Sequence, residues 1–276
     1  RYYSSGELAY RADRERARQA RGKPLANIPS DSPLAMQLPD STGDDSSTLS
    51  ADERWERAAA LGKYLEQARP TLHAEPSIRF PLSVVARNLG YSGTADKYFL
   101  LASKSNIDAA WHRAAMAERW LVEPTELPPT KPTVGCRMAS QPPHLDAVFD
   151  EPFWQQAEVI PLGPSDPRGK PGEQVGSLRI ARDVDYLYLA IECPRTPGVD
   201  YQRDDSPRTR DAHLAKFDRV RILLDKDRDY QTAYELTVDS RGWTHDACWD
   251  DPSWNPKWYV ASTLDDTHWR VELAIP

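Results

Sequence analysis

Apolar residues follow two different periods in the two halves of the chain. Between positions 51 and 121 they recur every three or four residues, the spacing that places them on one face of a helix. The pattern predicts helices at about 51–68, 77–89, 94–104 and 107–121. Ser50 and Glu53 form a capping signature before the first of them. The short connections predict that successive helices lie antiparallel.

From about residue 175 the apolar period changes to two, the period of a half-buried strand. Six segments show it: 175–180, 186–193, 219–224, 230–238, 258–262 and 268–275. Clusters of Asp, Gly and Thr separate these segments as turns. Strands at this spacing, with no helices between them, predict an antiparallel sandwich or barrel.

These patterns predict an α+β multidomain chain. Residues 1–48 form an Arg-rich helical stretch and a flexible linker, since their Pro, Ser and Asp content cannot bury enough apolar surface to fold. A helical domain covers 49–123, and the Pro-rich segment 124–135 is a stiff spacer. A β-sandwich covers 136–276, and because its last strand pattern stops at Pro276 we expect it to be truncated at its C-terminus.

The charge is uneven along the chain. The formal net charge is −7 overall, −8 from residue 136 onward and +1 before it. An acidic second half argues against nucleic acid as a partner, because nucleic acid binding needs a basic surface. It suits a cation or a neutral polyhydroxylated ligand. No run approaches the roughly 18 apolar residues that a membrane span requires.

Three cysteines, Cys136, Cys193 and Cys248, are too few for a disulfide framework and lack CxxC spacing for zinc. Cys193 shares its alternating face with Leu189 and Ile191, which predicts a buried free thiol. One disulfide among the three stays open as an alternative, and it would imply an oxidising compartment.

Five of the nine tryptophans fall between positions 243 and 269, among Asp, Asn and Pro. Sugar rings stack their C–H faces on indole while carboxylates and amides bind the hydroxyls, so a sugar site needs both residue types together. The candidate carbohydrate-binding residues are Trp249, Trp254, Trp258, Asp246, Asp250 and Asn255. The alternative is that these tryptophans fill the core and anchor a long connection between strands.

Asp225, Asp227 and Asp229 have the alternating acidic spacing of oxygen-ligand calcium sites, so calcium is a candidate cofactor. A helix-loop-helix calcium loop would need Gly at its sixth position and Glu at its twelfth, where Tyr230 and Leu236 stand. An exposed hairpin turn is therefore the competing interpretation.

Two helices carry a repeat-like motif. The spacing of Gly90, Ala95, Phe99 and Ala102 resembles the turn and second helix of a tetratricopeptide repeat. The resemblance covers one repeat and implies a solenoid-like domain that binds a protein partner. A plain helical bundle fits the same pattern.

Five motifs in the second half occur in the order seen in a known sandwich family. They are 143–154 (PHLDAVFDEPFW), 178–190 (LRIARDVDYLYLA), 217–225 (FDRVRILLD), 234–242 (YELTVDSRG) and 269–276 (WRVELAIP). Over about 140 residues they resemble the family 9 carbohydrate-binding modules and related sandwich domains, some of which bind haem.

The resemblance implies a noncatalytic module of secreted proteins, extracellular or periplasmic, that carries structural calcium. The family clamps a sugar end between two tryptophans. One clamp position corresponds to Ala215, three residues before Asp218, and the other falls beyond Pro276. A sugar site in this chain would therefore use the tryptophan-rich segment instead.

Enzymatic signatures are absent from the sequence. It contains no G-x-S-x-G, P-loop, HExxH or GxGxxG motif, so no nucleophile or phosphate cradle is indicated. Two hypotheses follow: a noncatalytic module that binds a polysaccharide or oligosaccharide and carries a helical adaptor, or a protein-interaction subunit whose sandwich is structural.

Overall fold

A computed structural model describes residues 50–104, 109–125, 131–163, 175–199, 201, 211–249, 251 and 253–276. The predicted Arg-rich helix and linker at 1–48 lie outside the described residues. The described chain forms two compact units. Of the described residues, the helical unit contains those from Ser50 to Thr133 together with Asp225–Gln231, and the sheet unit contains those of Val134–Leu224 and Thr232–Pro276. The fold class is α+β.

The helical unit contains α1 (Ala51–Ala68), α2 (Pro70–Ala74), α3 (Pro76–Asn88), α4 (Ser92–Ser103) and α5 (Ala109–Val122). The predicted capping box is confirmed: Glu53 N donates to Ser50 Oγ at 3.3 Å, and Ser50 N donates to the Glu53 carboxylate at 2.7 Å. The short helix α2 was not predicted, because its five residues are too few to show a period.

Gly90 ends α3 in the left-handed conformation, with φ +80°. Tyr91 N donates to Ala86 O at 2.8 Å and Gly90 N to Arg87 O at 3.0 Å, the pair of bonds of a Schellman motif. The chain then turns into α4. The core lies among α3, α4 and α5, where Phe80, Val84, Ala95, Phe99, Ala114 and Ala115 are buried.

The described residues of the sheet unit form nine strands and one short helix. The strands are β1 (Arg137–Met138), β2 (Ile160–Leu162), β3 (Gly176–Arg182), β4 (Leu187–Pro194), β5 (Arg219–Leu224), β6 (Tyr234–Asp239), β7 (Thr244–Cys248), β8 (Tyr259–Leu264) and β9 (His268–Ile275). The helix is α6 (Pro152–Gln156).

The strands form two sheets. Strands β1, β3, β4, β9 and β8 lie in that order in the larger sheet, with β2 also paired to β3. The smaller sheet has the order β5-β6-β7. All pairs between named strands are antiparallel except β1 with β3, which is parallel, so the larger sheet is mixed.

Two cores lie on opposite faces of the larger sheet, because alternate side chains of a strand point to opposite faces. On one face Tyr188, Ala190 and Ala274 pack with residues of the segment 139–157, including Trp154. On the other face Leu189, Ile191, Val271 and Leu273 form a cluster with Val238 of β6, and Val220 and Ile222 of β5 pack against it. Both sheets thus contribute to the second core.

All three cysteines are free thiols, and Cys193 is buried as predicted. Burial raises the pKa of its thiol to about 12. At Gly176 a Cβ would lie 2.8 Å from Glu192 O and 2.9 Å from Cys193 Sγ, so β3 and β4 approach closely there.

Candidate functional site

The tryptophan-rich segment contains a strand that the sequence pattern did not predict. Strand β7 pairs with β6, with Asp246 opposite Leu236 and Thr244 opposite Val238. Thr244, Asp246 and Cys248 therefore occupy one face of β7, where a predicted strand would have carried aliphatic residues. The pattern fails here because the buried positions are polar or small.

Asp246 and Trp258 are brought together inside the sheet unit. Trp258 Nε1 donates to Asp246 Oδ2 at 3.0 Å, and the carboxylate of Asp246 is fully buried. Trp258 is half-buried and packs against the core shared by the two sheets. These two predicted sugar contacts therefore act, in this arrangement, as the anchor of the tryptophan segment to the sheet.

Trp249 is presented to solvent at the end of β7. Its side chain is 68% exposed, and its backbone has φ +45°, which is uncommon for a bulky residue. Trp249 N donates to Ala233 O at 3.0 Å, and Cys248 N donates to Asp251 O at 3.0 Å. The backbone bonds thus hold an exposed indole in a strained conformation, a combination typical of functional positions.

Trp254 is half-buried and packs on Tyr234, with ring centroids 4.9 Å apart and planes inclined by 33°. Asn255, the next residue, is exposed. Asp250 lies outside the described residues. Asp251 caps the turn, since its carboxylate accepts Ser253 N at 2.9 Å and Ser253 Oγ at 2.7 Å. Ring contacts of the described residues pair Trp254 with Tyr234 and leave Trp249 unstacked.

A second aromatic group surrounds Arg241. Its guanidinium lies 3.4 Å from the ring centre of Phe217 and 4.0 Å from that of Trp243. Asp239 holds the same guanidinium through Nε at 3.0 Å and Nη2 at 2.7 Å. The face of Trp243 is therefore in contact with a cation of the protein itself. Ala215, which the resemblance predicted to match a clamp position, is exposed and lies two residues before Phe217.

The acidic turn Asp225–Gln231 is held by its own carboxylates. Asp225 accepts Asp229 N at 3.2 Å and Tyr230 N at 2.8 Å, and Asp229 accepts Gln231 N at 2.8 Å. Asp227 contributes its main-chain carbonyl to Arg87 Nη2 at 2.5 Å. Across the described residues no three His, Cys, Asp or Glu side chains are grouped as metal ligands. Calcium at this turn stays a prediction.

The same turn belongs to the helical unit. Arg228 and Tyr230 both have positive φ, 52° and 62°, and both side chains bind the buried Glu118 of α5. Gln231 Nε2 donates to Ser77 O at 3.0 Å. That carbonyl has no helical donor because Pro81, four residues later, lacks an N–H. The turn therefore completes the bonding of the helices.

The motif 143–154 converges on a buried glutamate of β9. Glu272 Oε2 accepts Asp146 N at 3.2 Å and Ala147 N at 3.1 Å, and its Oε1 accepts Trp154 Nε1 at 3.0 Å. Ala147 has φ +57° at this position. Burial raises the pKa of Glu272 well above its ordinary value, and the nearby Glu151 carboxyl raises it further. The spacing of Asp146 and Trp154 thus serves a structural junction.

Sequence reasoning did not identify Glu272, Glu118 or Tyr234 as important. In the alternating pattern of β9, Glu272 falls on the polar face with His268 and Arg270, so the sequence predicts exposure there and gives no signal for its burial. Glu118 and Tyr234 carry no local signal either, since their partners are distant in sequence.

Comparison with known proteins assigns no family to the chain. No family model matches it, and a search of curated proteins found no match. Within the part that the structure describes, no helix is long and apolar enough to cross a membrane.

Proposed function

We propose that this chain is a noncatalytic carbohydrate-binding protein, built from a module like those of carbohydrate-binding family 9 and a helical, tetratricopeptide-like adaptor. The module is a β-sandwich in this proposal, supported by the core to which both sheets contribute. The five motifs in order over the sheet unit support the family resemblance. The resemblance also supports an extracellular or periplasmic location.

The observation that carries the proposal is the exposed, conformationally held Trp249. An exposed indole offers a flat apolar face to the C–H side of a sugar ring. Trp254, partly exposed and backed by Tyr234, offers a second aromatic surface five residues away, and Asn255 supplies an exposed amide for a hydroxyl group. Because Asp246 and Trp258 anchor the segment, little ordering entropy is lost on binding.

The test is titration of the protein with soluble oligosaccharides, followed by pull-down on insoluble polysaccharides. Trp249→Ala should weaken binding about tenfold or more while leaving the thermal midpoint of unfolding unchanged, since the side chain is exposed. Val184→Ala removes another exposed apolar side chain of the sheet unit and serves as the matched control. Equal binding by Trp249→Ala and the unmodified protein, or no binding to a broad panel, would contradict the proposal.

A protein-interaction role for the helical unit is the second candidate, and a specific observation favours it. Several large apolar side chains of this unit face solvent: Leu61, Tyr64, Leu72, Tyr91, Leu100, Leu101, Leu121 and Val122. Leu61 and Tyr64 lie three positions apart on α1 and therefore on one face of the helix, and adjoining exposed apolar residues are typical of surfaces that bind other proteins.

This second role is tested by changing the surface without deleting the unit. The double variant Leu61→Ser, Tyr64→Ser should lose a co-purifying partner and keep sugar binding, whereas Glu66→Ser on the same helix should keep both. If the double variant retains the partner, the exposed residues of α1 are not the interaction surface.

A further inference from the structure

The sheet unit contains a cavity that is separate from the tryptophan-rich segment. It has a volume of about 430 Å³, which lies within the range of small-molecule sites, roughly 300–1,000 Å³. Its lining comes from β3, β4, β8 and β9, from the turn after β8, and from the segment 147–155. None of the residues that carry the proposed sugar contacts at Trp249 lines it.

Three of the four charged side chains of the cavity, Glu192, Asp265 and Arg270, bind one another. Arg270 donates through Nε to Glu192 and through Nη1 to Asp265 at 2.6 Å, so one guanidinium serves both carboxylates. Asp265 also accepts Thr267 N and His268 N, each at 2.8 Å. The Arg270 guanidinium and these amides lower the pKa of Asp265, which is therefore ionised at neutral pH.

Arg179 is the remaining cation of the cavity. It lies on β3 opposite Ala190, on the face of the sheet that also carries Glu192 and Arg270. Among the described residues none forms a hydrogen bond or ion pair with its guanidinium, although the side chain is half-buried. A guanidinium presents a fork of donors that matches a carboxylate in bidentate geometry.

The opposite wall of the cavity is apolar and held in place. Phe149 packs against Trp154, with ring centroids 6.3 Å apart, and its carbonyl accepts Gln155 Nε2 at 2.8 Å. Thr263 Oγ1 donates to Ala147 O at 3.3 Å, which joins β8 to the same segment. The cavity is therefore preformed, and a ligand needs little rearrangement to enter it.

We propose that this cavity binds a hexuronate, a sugar ring that bears a carboxylate. The ligand carboxylate pairs with Arg179, its hydroxyl groups donate to the carboxylate oxygens of Glu192 and Asp265, and its C–H face packs on Phe149. A simple anion such as acetate could pair with Arg179, but it has no hydroxyl group that donates to the nearby Glu192 carboxylate. A neutral sugar has the hydroxyl groups but no carboxylate that pairs with Arg179.

The proposal is tested with D-galacturonate and D-glucuronate as probes, against D-galactose, D-glucose and acetate, by NMR titration of the intact protein. We expect the uronates to bind at least about tenfold more tightly than the neutral sugars or acetate, the effect of one charge-assisted pair. Arg179→Gln should remove this advantage. Arg182→Gln, which changes an exposed arginine of the same strand outside the cavity, should preserve it.

The proposal is overturned if Arg179→Gln and Arg182→Gln bind the uronates with equal affinity. It is also overturned if the uronates bind no more tightly than acetate, or if they do not bind at millimolar concentration. Because Arg179 has no partner in the described fold, the variant should keep the thermal midpoint, which is measured alongside. Trp249→Ala should leave uronate binding unchanged. Failure of this site and failure of the tryptophan site are therefore distinguishable.

Discussion

In each unit of the molecule a buried glutamate joins segments that are distant in sequence, and these two glutamates, Glu118 and Glu272, have different partners. In the helical unit Glu118 is 1% exposed and accepts Arg87, Arg228 Nε at 3.0 Å and Tyr230 OH at 3.1 Å. In the sheet unit Glu272 is fully buried, and from the described residues it accepts two backbone amides and the indole of Trp154. The first has cationic donors and the second has neutral ones.

The difference has consequences for the electrostatics of the two units. Two guanidinium groups compensate the charge of Glu118, so that junction is an ion-pair network. Neutral donors only partly compensate Glu272, and Glu151, itself buried, adds a second carboxyl whose pKa is also raised by burial. The Glu151 Oε2 atom has no hydrogen-bond partner among the described residues. We expect the stability of the sheet unit to depend on pH through these two carboxyls.

The largest effect is expected from Glu118→Gln. The amide leaves Arg87 and Arg228 without a charge partner, at a cost of about 3 kcal/mol, toward the low end for buried pairs because both arginines are partly exposed. Urea unfolding followed by far-UV circular dichroism measures it, since the helices dominate that signal. Glu123→Gln, at an exposed position after α5, is the control. Equal midpoints for the two variants would show that the network adds no stability.

Glu272→Ala is expected to destabilise the sheet unit by about 2 kcal/mol, because three donors, two of them in buried hydrogen bonds, lose their acceptor. The loss is smaller than for Glu118 because removal of a poorly compensated carboxylate offsets part of it. Thermal unfolding followed by the fluorescence of the buried tryptophans measures the change. Glu158→Gln, exposed in the same unit, should be neutral. An unchanged midpoint for Glu272→Ala would show that the hydrogen bonds of Glu272 do not stabilise the sheet unit.

The sheet unit should lose stability as the pH rises. The pKa values of Glu272 and Glu151 are raised in the folded state, so folding favours the protonated form. Their contribution is complete below the ordinary glutamate pKa of about 4.3 and is lost as the pH rises through the raised values, at up to about 1.4 kcal/mol per pH unit for each carboxyl. Unfolding free energies measured between about pH 5 and 8 should decline.

Glu272→Gln separates this effect from general charge repulsion, because the amide side chain keeps the shape of glutamate and cannot ionise. The decline with pH should flatten in Glu272→Gln and persist in Glu118→Gln. An unchanged slope in Glu272→Gln would mean that other groups cause the dependence. In the helical unit, burial beside Glu118 raises the pKa of Tyr230. The contribution of this tyrosine to the free energy of unfolding is therefore lost only in alkali, above about pH 10.

The smallest effect is expected from Tyr230→Phe, about 1 kcal/mol, the value of one hydrogen bond. The phenyl ring keeps its edge contact with Phe80, at 5.4 Å between centroids, so packing is preserved. Urea unfolding measures the loss, and Tyr64→Phe, at an exposed position of α1, is the control. A loss as large as that of Glu118→Gln would mean that the tyrosine, and not the arginines, stabilises the junction.

Most helices and strands of the described chain were predictable from the sequence. The bounds of α1, β5 and β9 agree with the predicted segments because each has a clear apolar period, and α1 also has its own cap. Strand β7 was not predictable, since its buried residues are Asp246 and Ala247, which form no apolar alternation. The composition of the tryptophan-rich segment was enough to predict a candidate site there. Only the structure distinguished Asp246 and Trp258, which anchor the segment, from the exposed indole of Trp249.

The sequence by itself determined where the chain forms helices and strands, because caps, turns and apolar periods act between residues a few positions apart. It also determined that the second half is acidic and rich in tryptophan. Only the tertiary structure decided that Asp246 is an anchor, that the acidic turn binds Glu118, and that Arg179 and Arg270 share one cavity. Some of these contacts join residues more than a hundred positions apart, as between Glu118 and Arg228. Their energies depend on burial, and side chains are buried only after the chain has folded.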